Sequence, residues 1–129
     1  MNGEKKFPVG FYKYLEENTL VEIKSGENRT RFTEIWMVIV DERVFARSWN
    51  KNQSGWMNEF LTNKVGMIKF GAEIIDVTVR KLGDNHPIHQ KINQAYLEKY
   101  TQDYNLEYAN EISLPEYAHY TIEFFPAAP

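Results

Sequence analysis

The chain has 129 residues, 43% of them apolar, a formal net charge of −3 and no cysteine. That length and apolar content suit one domain with a real core and exclude general disorder. The missing thiols exclude disulfides, zinc–thiolate sites, iron–sulfur clusters and cysteine nucleophiles, and the slightly acidic balance argues against a nucleic-acid binder.

Residues 8–17 read as a short helix, because Phe11, Tyr14 and Leu15 recur at three and four residues and Asn18 can close it. This N-terminal piece, 1–18, is expected to pack on a domain formed by 19–129. Residues 19–24 alternate apolar and polar, the pattern of a half-buried strand, and a turn follows at 25–28. Residues 30–40 begin polar and end in the longest apolar run, 35–40. A β-branched run bounded by turns predicts a central strand buried on both faces. The run is far shorter than the ~20 residues that span a bilayer. The N-terminus carries basic residues with no apolar stretch behind them, so a soluble, cytoplasmic protein with no membrane partner is expected.

Residues 41–43 make a tight connection to a strand over 44–49. Its two faces are Val44, Ala46, Ser48 and Phe45, Arg47, Trp49. A polar loop leads to a helix over 56–61, with Ser54 as its N-cap and Met57, Phe60 and Leu61 as its buried stripe. Strands over 65–70 and 73–82 flank Gly71-Ala72, a loop with Gly first, as a type II′ turn prefers. In the second strand Ile75, Val77 and Val79 alternate with Asp76, Thr78 and Arg80. Asp84 or Asn85 is expected to cap the next helix, with Pro87 in its first turn and an amphipathic period running to Tyr100. Another helical turn is expected near Leu114, and 120–125 read as a last strand. The fold class is α+β, mainly β: a six-stranded antiparallel split β-barrel with about three short helices, its middle strands forming a sequential meander.

The chemistry is narrowed mostly by exclusion. His86 and His89 are three apart, a spacing metal sites use, but no third ligand accompanies them and no metal is expected. No nucleophile elbow, phosphate-cradling glycine loop or dinucleotide fingerprint occurs. Tyr96, Tyr100, Tyr104 and Tyr108 recur every four residues and read as one packed helical face. All the arginines lie mid-chain, whereas residues 101–129 hold only acids among their charged side chains. Arg31 and Thr33 open one strand and Arg47 and Ser48 close the next, so antiparallel pairing brings them to one end of the sheet. Arg29, Lys51 and the helix N-terminus at Ser54-Gly55 join them. Cations, hydroxyls and a helix N-terminus make an anion site, most naturally for phosphate. Trp49 and Trp56 beside it can cover a flat ring. The alternative is that the arginines pair with Glu34, Glu59 or Asp76 on the surface.

From residue 20 to 125, the ordered features resemble a bacterial domain-of-unknown-function family, number 2255. The matching pieces are the Arg-rich segment before Ile35-Trp36-Met37-Val38, then Val44-Phe45-Ala46-Arg47-Ser48, Ser54-Gly55-Trp56, residues 74–79 and residues 92–100. That family is similar to split β-barrel flavin-binding proteins, particularly relatives of the deazaflavin-dependent nitroreductases. In those a Ser-Gly turn, an Arg and a Thr or Ser precede a central strand, and a Ser with basic residues after the following strand holds cofactor phosphate. Ser25-Gly26, Arg29 or Arg31, and Thr33 match the first part, and Ser48, Lys51 and Trp56 the second. The resemblance implies a homodimer with FMN or a deazaflavin at the subunit interface. Arg29, Arg31, Thr33, Arg47, Ser48, Trp49, Lys51, Ser54 and Trp56 would then contact it. Hydride chemistry would belong to the cofactor, and no side chain is marked as catalytic. Glu34-Ile35 stands where those relatives carry a Pro, and the loop at 49–54 is short. The alternative is therefore a cofactor-free small-molecule or protein-binding module on the same fold.

Overall fold

The computed structural model describes residues 6–25, 32–49 and 55–127. Helix α1 (Val9–Glu17) follows Pro8 and buries Phe11 and Leu15. Asn18 ends it, donating from Nδ2 to the Tyr14 carbonyl at 2.9 Å. Seven strands follow: β1 (Val21–Ser25), β2 (Thr33–Ile35), β3 (Val38–Val40), β4 (Arg43–Arg47), β5 (Val65–Phe70), β6 (Glu73–Lys81) and β7 (Thr121–Pro126). They form one antiparallel sheet in the order β2-β1-β5-β6-β7-β4-β3.

The edge strands reveal the shape. Strands β2 and β3 are opposite edges of the sheet, yet only Trp36 and Met37 separate them in the chain. Three Cα steps reach at most ~11 Å. In a flat sheet of this width the edges would lie about 29 Å apart. The sheet must therefore curl into a half-barrel, and residues 33–40 carry the chain from one edge to the other. This corrects the expected single central strand. The apolar alternation does run unbroken through the segment: Ile35, Met37 and Ile39 face one core, while Trp36, Val38 and Val40 face another. Burial on both faces was legible, but the change of partner at Trp36-Met37 was not.

The first core fills the half-barrel. It joins Val21, Ile23, Val44, Ala46, Ile68 and Phe124 of the sheet to Phe11 of α1 and Phe60 of α2 (Trp56–Asn63). The second lies on the outer side of β3 and β4. There Phe45, Val38 and Val40 meet Ile92, Tyr96 and Tyr100 from the region of α3 (His89–Lys99), with Ile112 of α4 (Leu106–Ile112). A 3₁₀ turn, Pro115–Tyr120, leads into β7. Among the described residues there are thus seven strands and five helices, where six and about three were expected. The added strand comes from the break at Trp36-Met37 and the added helix is α4, while the 3₁₀ turn stands where a further helical turn was expected near Leu114. The expected meander is also corrected: β5 pairs with β1, not β4, and β7 inserts between β6 and β4. Alternation dictates which face is buried, not which strand lies alongside.

Local chemistry explains the connections. Gly71 has φ 65° in the β5–β6 hairpin, as the first position of a II′ turn requires. Gly66 is needed for close approach, since a Cβ there would meet the Lys24 carbonyl oxygen and the Phe60 ring. The N-cap of α2 is Gly55 rather than Ser54. Helix α3 starts after Ile88 with no side-chain cap. Asp84, the expected cap, instead accepts from Lys81 at 2.8 Å and pairs with His119 at 2.9 Å. No helix among the described residues is long and apolar enough to cross a membrane.

Candidate functional site

Pairing of β3 with β4 begins at Val38 opposite Phe45. Before that point the chain belongs to β1, with Ile35 opposite Val21. The end of β4 is therefore left without a strand on that side. A cleft of about 270 Å³ occupies the gap. One wall is Glu34, Ile35 and Trp36, the other Arg47, Ser48 and Trp49, and Leu20 and Trp56 complete it.

Backbone groups that lose their ladder partners here need others, because an unmet buried amide costs ~1–3 kcal/mol. Helix α3 and its C-cap supply them. The Arg47 amide donates to Tyr96 Oη at 2.9 Å, and the Met37 amide to Tyr100 Oη at 3.0 Å. Tyr100 Oη donates in turn to the Thr19 carbonyl at 2.7 Å. Lys99 Nζ donates to the Met37 carbonyl at 2.6 Å. Burial pushes the Tyr96 hydroxyl up to about 12 and raises that of Tyr100 further, so both remain neutral hydrogen-bonding groups. These two are the buried members of the tyrosine series. Tyr104 and Tyr108 are exposed, because α3 ends at Lys99 and the turn before α4 breaks the period. The expected single face is thus half right.

The tryptophans are held in place by other rings. Trp36 stacks on Tyr100 with centroids 3.8 Å apart and planes 6° from parallel. It meets Trp49 edge-on at 5.6 Å. Trp49, 37% exposed, also touches Tyr108 and Tyr117 edge-on at 5.9 and 5.8 Å. Trp56 begins α2 and packs on Phe60 and Phe124 of the first core. Such contacts fix ring orientation, each worth about 0.5–1.5 kcal/mol beyond burial.

Arg47 is only 2% exposed. Its guanidinium turns toward α3 and α4. Nε donates to Thr121 Oγ1 at 2.9 Å, and one terminal nitrogen to Asn93 Oδ1 at 2.5 Å and the Ile112 carbonyl at 2.9 Å. The other lies 3.2 Å from His89 Nδ1. Arginine can only donate, so Nδ1 accepts, and His89 Nε2–H donates to the Gly83 carbonyl at 2.7 Å. His89 is therefore neutral, its affinity for a proton lowered first by burial and also by the Arg47 charge. No carboxylate pairs with Arg47 among the described residues, and burial lowers its own proton affinity. The surface partners expected from sequence, Glu34, Glu59 and Asp76, are not what Arg47 meets, and Arg43 forms a two-pronged bond to a different, buried carboxylate, Glu123, at 2.9 and 2.7 Å.

Of the residues expected to form the site, Arg47, Ser48, Trp49 and Trp56 meet at the cleft. Thr33 is paired with Ile23 in β2 and does not line it. Arg29, Arg31, Lys51 and Ser54 lie outside the described residues. Trp36, Tyr96 and Tyr100 were not anticipated as site residues. Trp36 sat inside an apolar run that reads as core, and only the four-residue spacing hinted at the tyrosines. His86 and His89 do not form a metal pair, since His86 Nδ1 accepts from the Ile88 amide at 3.1 Å and His89 serves Arg47.

Residues 14–124 match the family described as "uncharacterized protein conserved in bacteria", DUF2255. The chain belongs to this family. No curated protein matches it. Solved structures that share the fold include the following two. An FAD-binding protein from Mesorhizobium loti has a TM-score of 0.58 at 11% identity, over 96% of this chain and 93% of its own. A conserved hypothetical protein from Mycobacterium tuberculosis has a TM-score of 0.57 at 10% identity, over 99% of this chain and 84% of its own. At such identities the likeness is one of fold for this DUF2255 member.

Proposed function

We propose that the cleft between β2 and β4 takes the flat ring of a flavin-class cofactor, FMN or a deazaflavin, in an oxidoreductase-like split β-barrel. The observation that carries this reading is the convergence of Trp36, Trp49 and Trp56 on one cleft backed by buried Arg47. The fold shared with an FAD-binding protein agrees with it.

The residues present fit such a ring in a particular way. Among the described residues the arginine bonds only to neutral acceptors, and none of them cancels its charge. In a low-dielectric setting that charge favours electron density on a ring in front of it. Arg47 thus acts through its field rather than as the phosphate ligand expected from sequence. Phosphate contacts fall to Arg29, Arg31, Lys51 and Ser54, on segments that flank the cleft in the chain. The start of α2, capped by Gly55 with no side-chain bond, offers amide donors beside Trp56. A bound cofactor would supply the hydride chemistry, while the tryptophans orient its ring and exclude water.

One observation favours the cofactor-free module instead. At about 270 Å³, the cleft is smaller than the ~300–1,000 Å³ typical of ligand sites. A second copy of the chain completing the walls, as the homodimer reading requires, would remove that objection.

Titration with FMN, FAD and a deazaflavin, read by quenching of cofactor fluorescence, tests the proposal. Saturable quenching is expected, weakened about tenfold by Trp49→Ala, the loss expected from one stacking partner. Sedimentation should show a dimer. No change in cofactor or tryptophan emission up to millimolar concentration would overturn the flavin reading in favour of the cofactor-free one.

A further inference from the structure

A second cleft, of about 420 Å³, lies between α1, β3 and α3. Leu15, Val38, Ile39 and Ala95 give it an apolar lining. Glu16 and Glu98 add two carboxylates, and Lys99 is its one cation. Lys99 has no carboxylate partner among the described residues. Among the described residues its hydrogen bond goes to the Met37 carbonyl, and Nζ stands 5.3 Å from the Tyr100 ring centroid.

We propose that Lys99 is a carbonyl-capturing amine, whose cleft receives a small neutral aldehyde with an apolar body. The Nζ lone pair adds to the carbonyl carbon, and the carbonyl oxygen takes up a proton. The resulting carbinolamine then loses water to leave an imine. The step is reversible and needs no oxidant or reductant. One N–H held by the Met37 carbonyl orients the amine, and the lone pair is directed away from that bond.

Three features support this assignment. The bond to Met37 needs only one of the three protons an ammonium carries, so bracing the backbone does not require the charge. Burial lowers the Lys99 amine to about 8. At pH 7.5 about a quarter of it is then neutral, against roughly one part in a thousand for an ordinary lysine. The charged groups facing it are Glu16 from α1 and Glu98 from α3, with the Tyr100 phenol beside it, while β3 contributes only Val38 and Ile39. Both carboxylates line the same cleft and repel anionic ligands. The cleft therefore selects a neutral carbonyl compound, and the inference stands apart from the tryptophan-lined site.

The test is reductive trapping of the full chain with limiting hexanal and cyanoborohydride at pH 7.5, followed by peptide mass mapping. Lys99 should be labelled about tenfold faster than exposed Lys13, the neutral fraction outweighing the lower basicity. Its rate should level off above pH 8 to 9. Glyoxylate, which is anionic, should lose that preference for Lys99. Lys99→Arg keeps a donor for the Met37 carbonyl, so it should fold normally and lose only this label. Labelling of Lys99 no faster than Lys13 would overturn the proposal. Equal preference for hexanal and glyoxylate would overturn the role of the cleft.

Discussion

Replacing Arg47 by Leu separates two roles for this residue. If its guanidinium were a ligand contact, the change would leave the empty protein almost as stable as before. In the structure it holds Thr121, Asn93, the Ile112 carbonyl and His89 to β4. Hydrogen bonds to a charged group are worth ~1.5–3 kcal/mol each, so losing four removes roughly 6–12 kcal/mol in gross terms. Removing a buried cation that lacks a carboxylate partner returns several kcal/mol of desolvation. The net loss expected is about 3–5 kcal/mol, because four buried acceptors remain without donors. For a chain of this length each kcal/mol moves Tm by about 3–5 °C, so a drop of roughly 10–20 °C is expected. Arg47→Lys keeps the charge but not the fork and should fall between. Thermal unfolding followed by far-UV circular dichroism at pH 7.5 reads the effect. A drop below about 3 °C, less than 1 kcal/mol on that scale, would refute the clamp. A loss of ligand affinity with stability unchanged would restore the reading made from sequence.

Stability should also depend on pH through His89. Its folded-state proton affinity is lowered, so the unfolded chain takes up the proton first. Stability is then full above about pH 6.5 and falls as pH drops from there toward the folded value, by at most ~1.4 kcal/mol per unit. Asp84 titrates at about 2 and lies below this window. Urea midpoints at pH 7.5 and 5.5 measure the effect, and His89→Gln should flatten it. Equal wild-type midpoints would count against a neutral His89. Lys64 ends α2 at φ 64°, the left-handed region, with its amide bonded to the Phe60 carbonyl at 2.6 Å. Lys64→Gly should therefore raise stability by about 1 kcal/mol. A lowered urea midpoint would show that no strain is relieved there.

Much of the fold was legible because it is local. The hairpin at Gly71, the limits of α1 and β5, and the two faces of β4 follow from backbone preference and alternation. The family was legible too, since the ordered motifs span most of the chain. So was the meeting of Ser48, Trp49 and Trp56 at one cleft.

Tertiary structure decided the rest. Side-chain periodicity says which face of a strand is buried, but not that β7 slides between β6 and β4. Nor does it say that residues 33–40 serve two edges. That outcome follows from curling the sheet until its ends lie two residues apart. Opening the gap beside β4 left Arg47 and Met37 with unpaired amides, and Tyr96 and Tyr100 were placed to meet them. The same alternation that put Arg47 on the outer face of β4 put it under α3 and α4, where an exposed cation became a buried clamp. The sequence by itself determined which residues are apolar, cationic or aromatic and in what order. Whether a given arginine meets solvent, ligand or core depends on which distant element covers it, and long-range packing alone sets that.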